Sequence, residues 1–215
     1  MRRLLVTVGV LVAFLLLYLV LDVVAKGFVE GRVEEEFVNG DRVDVEDASF
    51  VIDSFPFLGR LGAYGEVSAT LELQGVRERG VTVDQFRLEV DGLVFDRVSA
   101  FNGQVEVTDI DEATTSISLS ESTIAALVGV PVDIAADGTV TAGGVTVQAT
   151  MTGDDLVLEG GGTGPVVVPL RLGRFVPCAP TVEVADQLVT LTCVTDTLPP
   201  IVNRVIGDAS ARARG

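Results

Sequence analysis

Few side chains in this sequence could do chemistry, and what is missing narrows the field first. The 215 residues contain no histidine. That removes the usual general base, the commonest metal ligand and every Ser-His or Cys-His pairing. No G-x-S-x-G segment occurs, so a serine nucleophile lacks both its usual turn and its usual partner. The single lysine, Lys26, abuts an apolar segment and is a poor candidate for covalent amine chemistry. Two acidic clusters, Asp109-Ile110-Asp111-Glu112 and Asp154-Asp155, offer fewer oxygens in register than a calcium loop needs and read as solvated turns. Paired carboxylates for glycoside hydrolysis could come from distant strands, but carboxylates are so abundant here that they carry no signal. The glycine-rich run Gly160 to Gly164 precedes no helix and contains no lysine, so it reads as a flexible loop rather than a phosphate cradle. No catalytic residue, metal or cofactor is expected.

The elements begin with Leu4 to Leu21, eighteen residues without a charge. At about 1.5 Å per residue, such a helix nearly crosses a bilayer core of about 30 Å. The run extends through Val23, Val24 and Ala25 if Asp22 lies at the interface. Arg2 and Arg3 precede it and Glu30, Glu34, Glu35 and Glu36 follow, which places the N-terminus in the cytoplasm and the rest of the chain outside. Two outcomes stay open. The length of the run favours a retained anchor, whereas small residues at Val23-Val24-Ala25 would suit cleavage of a signal segment.

Past residue 25 there are thirteen basic and thirty acidic side chains, a net charge of −17. So acidic a domain is a poor partner for nucleic acid or for anionic headgroups approached by charge alone. Cys178 and Cys193 both fall in the exported part and read as a structural disulfide. Closing a loop of that length contributes on the order of 3 kcal/mol.

Residues 26–38 place Phe28, Val29, Val33 and Phe37 at near-helical spacing among charges, an amphipathic helix of about three turns. Gly27 and Gly31 weaken it, and Asn39-Gly40-Asp41 ends it. The period then changes to two. Val43 and Val45, then Phe50 and Ile52, alternate with polar or outward positions. Phe55-Pro56-Phe57-Leu58-Gly59-Arg60-Leu61 fits neither period and is expected as an irregular apolar crossing. Val67, Ala69, Leu71 and Leu73 form the clearest one-sided strand, followed by Phe86, Leu88 and Val90, Val105 and Val107, and Ile117 and Leu119. Ser120 caps a short helix that Gly129 ends, with Leu119 and Ile124 as a hydrophobic staple. Asp137-Gly138, Gly143-Gly144 and Gly153-Asp154 mark hairpin turns. A strand over Val166–Leu172 and a hairpin through Val182, Val184, Val189, Leu191 and Cys193 follow, and Pro199-Pro200 opens a last short helix through Ile206.

The expected fold is thus α+β and mostly β: a curved antiparallel sheet packed around an amphipathic helix, after an N-terminal membrane segment. Residues 1–25 are the anchor or signal, 26–206 the domain and 207–215 a flexible tail. Periodicity leaves open whether the apolar face is a filled core or an acyl-chain cavity.

A membrane segment, a short acidic helix, Phe55-Pro56-Phe57-Leu58 with Gly65-Glu66-Val67 entering a strand, and then Ser120–Val128 occur in an order that resembles the LmeA-like phospholipid-binding family of actinobacterial cell envelopes. The similarity spans residues 20–206. It implies a non-enzymatic periplasmic protein similar to the tubular lipid-binding folds, whose relatives bind phospholipid and support envelope glycolipid assembly. Phe55, Phe57, Leu58 and Leu61 match the apolar motif and become candidates for a pocket mouth or lining, or for plain core. Phe28, Val33 and Phe37 on the helix and Leu71, Leu73, Phe86 and Leu88 on the strands complete the candidate lipid contacts. Arg60 is a candidate contact for a lipid phosphate. The implied partners are a phospholipid or similar acyl-chain ligand and the cytoplasmic membrane.

Overall fold

The computed structural model of the chain describes residues 2–38, 44–63, 66–78, 81–95, 107–153, 155–160, 163–170, 172–185 and 187–203. The expectations made for Asn39-Gly40-Asp41, Val43, Gly65, Val105, Asp154, the centre of the glycine-rich loop, Val205, Ile206 and the 207–215 tail lie outside the described residues.

One helix, α1 (Arg2–Val38), holds both the apolar run and the acidic segment after it. The amphipathic helix expected over 26–38 is therefore the last part of a continuous 37-residue helix. Gly27 and Gly31 do not break it because Ala25, Val29, Val33 and Phe37, one helical turn apart, all pack on the core. Side chains from Val10 to Leu17 are exposed, and protein contact begins at Tyr18.

The chain is mostly β and antiparallel, as expected, and its strands form two sheets. The first runs in the order β1 (Asp47–Ile52), β2 (Glu66–Glu78), β3 (Val81–Phe95), β5 (Glu112–Ser120), β12 (Leu188–Thr195), β11 (Thr181–Ala185), with β4 (Val107–Asp109) also pairing β3. The second is a meander in the order β10 (Thr163–Pro169), β9 (Asp155–Gly160), β8 (Val145–Thr152), β7 (Val140–Ala142), β6 (Val132–Ile134). The β7–β8 turn is Gly143-Gly144 with φ of 58° and 82°, the positive angles a two-residue hairpin needs.

Between the sheets sits α3 (Glu121–Val128), touching β3 and β5 on one side and β6 and β10 on the other. Its N-cap is Ser120, whose Oγ accepts the Thr123 N–H at 3.3 Å. Asp84 on β3 locks that cap, accepting the Ser120 N–H at 2.7 Å and its hydroxyl at 3.0 Å. At the other end the Gly129 N–H bonds the Ala125 carbonyl at 2.9 Å. Buried side chains from both sheets, α1 and α3 form one core, closed on the inner side by the Phe86–Phe175 ring contact at 6.1 Å. Full burial of a Leu, Ile or Phe contributes about 1.5–3 kcal/mol, which makes this core the main source of stability. Cys178 and Cys193 are joined, tying the segment before β11 to the middle of β12.

Two outcomes test this account. Ser120→Ala should lower the unfolding free energy by about 1 kcal/mol in a denaturant titration, the usual cost of an N-cap. Asp137, in the β6–β7 turn, accepts the Thr139 N–H at 2.9 Å, and this holds its carboxyl below the ordinary carboxylate range. A carboxyl titration by NMR should show that lowered midpoint. The turn's contribution is then present above the ordinary range and is lost as pH falls through the lowered value.

Candidate functional site

The Phe55–Leu61 segment is not the irregular crossing expected. After a cis Phe55–Pro56 peptide the chain forms a short helix, α2 (Phe57–Ala63). Its first N–H groups have no partner within the helix, and Asp22 of α1 supplies one. Asp22 Oδ2 accepts the Phe57 N–H at 3.0 Å and Oδ1 the Leu58 N–H at 2.6 Å. Asp22 itself is 0 % exposed, so it lies beneath α2 rather than at an open interface. A cap donated across 35 residues leaves no trace in the local sequence. Gly59 permits the approach: a Cβ there would meet the Tyr18 hydroxyl at 2.7 Å.

The same face of α1 then serves the edge of the first sheet. Glu30 Oε1 accepts the Ile52 N–H at 2.7 Å and Glu34 Oε1 the Phe50 N–H at 2.9 Å. Lys26 pairs with Glu30 at 3.6 Å, one helical turn nearer Asp22. Tyr18, Asp22, Glu30 and Glu34 were not singled out from the sequence as site-forming. The usable signal was Asp22 itself, an ionisable residue in an apolar run, which by default has a specific partner.

The candidate lipid contacts divide by depth. Leu71, Leu73, Phe86 and Leu88 come together: Leu71 sits opposite Leu88 and Leu73 opposite Phe86 on the β2–β3 ladder, all buried. The rows continue onto β5 and β12, with Leu88 beside Thr115 beside Cys193, and Phe86 beside Ile117 beside Leu191. Among these apolar neighbours the Thr115 hydroxyl is buried with no hydrogen-bond partner among the described residues. Phe37 and Phe57 are also buried, and Val33 and Leu58 are half-buried against the same core. Phe28 on α1 and Phe55 before α2 are 66 % and 64 % exposed, and Arg60 on α2 is exposed. The side chain of Leu61 lies outside the described residues.

No group of three or more acidic, histidine or cysteine side chains among the described residues could hold a metal ion. An open recess of about 390 Å³ beside Cys178, lined by Val176, Pro177 and Pro200 among others, contains none of the candidate contacts.

Asp22→Ala should leave the buried Phe57 N–H and the half-buried Leu58 N–H without their acceptor, at about 1–3 kcal/mol. Hydrogen exchange on the full chain in detergent should show these two amides exchanging faster, with the β5 and β12 amides unchanged.

Two comparisons found nothing: no curated protein and no solved structure matches the chain. A family model does match, over residues 20–213, which takes in Asp22, α2, both sheets and the disulfide. On that match, the chain belongs to the LmeA-like phospholipid-binding family.

Proposed function

We propose that this is an extracytoplasmic phospholipid-binding protein, a carrier or sensor held at the outer face of the cytoplasmic membrane in support of envelope lipid or glycolipid assembly. The observation that carries the reading is the match to a phospholipid-binding family over nearly the whole domain. No catalytic step is assigned, in keeping with a chain that has no histidine and one lysine, itself ion-paired.

Export and anchoring are supported by the Arg2-Arg3 flank, by the disulfide, and by a helix long and apolar enough to cross a membrane. Retention of α1 has a further support. Cleavage after Ala25 would remove Asp22 and with it the acceptor for the Phe57 and Leu58 amides of α2. For the lipid itself, we assign the acyl chains to the side lined by Leu71, Leu73, Phe86 and Leu88, with Val33, Phe37, Phe57 and Leu58 toward the mouth. Phe28, Phe55 and Arg60 form the rim. Thr115 supports this assignment, since an unpaired hydroxyl in an apolar row suits an ester oxygen of a bound lipid.

One observation favours a second reading. The four strand residues are at most 3 % exposed within a continuous core, as in an anchored interaction domain that takes no ligand. For the same reason, aspartate at Phe57 or Leu71 would disturb the fold along with any binding.

Native mass spectrometry of the full chain released from membranes in detergent, with organic extraction, separates the two. We expect a discrete added mass matching a phospholipid. Thr115→Val should fold at least as stably and recover less of it, because removing an unpaired hydroxyl does not harm a plain core. A mass that stays apo after incubation with phospholipid vesicles would select the solid-core domain.

A further inference from the structure

The outward face of α1 stays apolar well past the point where the domain begins. Val20, Leu21, Val23, Val24 and Phe28 are all exposed, and the first exposed charge on this side is Arg32, whose guanidinium lies 5.9 Å from the Phe28 ring centre. Leu4 to Phe28 measures about 36 Å along a helix, against about 30 Å for a bilayer core. A helix seated with Arg2 and Arg3 at the inner surface therefore reaches the outer interface between Val24 and Phe28. Yet α2 docks lower, on Tyr18 and Asp22, about 9 Å short of Phe28 along the axis.

We infer that α2 and the Phe55–Pro56 turn before it are embedded in the outer leaflet of the bilayer that α1 crosses, with the Phe55 side chain among the acyl chains and Arg60 reaching the phosphates. This rests on the anchored reading given above. Two independent features fit it. Phe55, two residues before α2, is exposed, and α2 itself packs on α1. The backbone at the start of α2 is also prepared for a medium without water. Pro56 has no N–H to satisfy, Asp22 accepts those of Phe57 and Leu58, and the Arg60 N–H bonds the Pro56 carbonyl at 3.0 Å. Short helices in water are capped too, as α3 is by Ser120, but in hydrocarbon each amide left unpaired costs more. Asp22 is likewise hidden from lipid by α2, as an ionisable group at that depth must be. Arg60 can extend its stem along the apolar layer and keep its charge at the headgroups.

The chain contains no tryptophan, so a single introduced indole reports its own surroundings. Phe55→Trp, Leu16→Trp and Val167→Trp replace exposed side chains on α2's approach, mid-α1 and β10. Each full-length variant is reconstituted into phosphatidylcholine vesicles containing some phosphatidylglycerol. Phe55→Trp should emit blue-shifted and lose most of its intensity to lipids brominated near the carbonyl end of the chain. Leu16→Trp should be quenched most by bromines near the methyl end. Val167→Trp should respond only to aqueous acrylamide. If Phe55→Trp behaves like Val167→Trp while Leu16→Trp is quenched by lipid, the embedding is overturned and the anchor stands. If Leu16→Trp is not quenched by lipid, both fall.

Discussion

The outer strand of a sheet leaves every second backbone N–H without a strand to receive it, and exposed edges of this kind invite pairing with other chains. In this protein the edge at β1 is closed by carboxylates on a helix. Glu34 and Glu30 accept from Phe50 and Ile52, and Asp22 carries the same service on to Phe57 and Leu58. The repeats make it possible. Four helical residues rise about 6.0 Å and two strand residues about 6.6–6.8 Å, so acceptors spaced i, i+4 meet donors spaced i, i+2 when the two segments run in opposite directions. The placement of α1 against the sheet, the docking of α2 and the closing of the core by Phe37 and Phe57 all follow from this seam.

On the anchored reading, the same geometry bears on how an acidic domain can sit beside a membrane. With a net −17 past residue 25, approach to anionic headgroups by charge is unfavourable. Screening confines that penalty to charges within about 8 Å of the surface at physiological ionic strength. Phe28, Phe55 and Arg60 are exposed, and Lys26 and Glu30 are paired with each other.

Much of the fold was legible because its signals are local. Period-two alternation marked β2, β3, β5 and the β11–β12 hairpin; Ser120 and Gly129 marked the ends of α3; Cys178 and Cys193 paired as expected. The failures were long-range. Local sequence gave no reason for a helix at Phe57–Ala63, since its cap comes from Asp22. In the sequence, Glu30 and Glu34 stand only as the acidic flank of the apolar run, and their role shows once β1 lies beside them. The meeting of Leu71 with Leu88 and of Leu73 with Phe86 depends on the β2–β3 register, and the unpaired hydroxyl of Thr115 on what covers it. A strand pattern identifies a buried face without saying what lies across from it.

The absence of a break in α1 has a mechanical consequence. Most anchored domains hang from a flexible tether, and their orientation is independent of the bilayer. Here the helix that would cross the membrane is the helix that forms the sheet's edge. Spanning helices adapt to bilayer thickness by tilting. On the anchored reading, a thinner or thicker membrane would rotate the whole sheet as a lever arm, so lipid composition would set the angle at which the domain faces its surroundings.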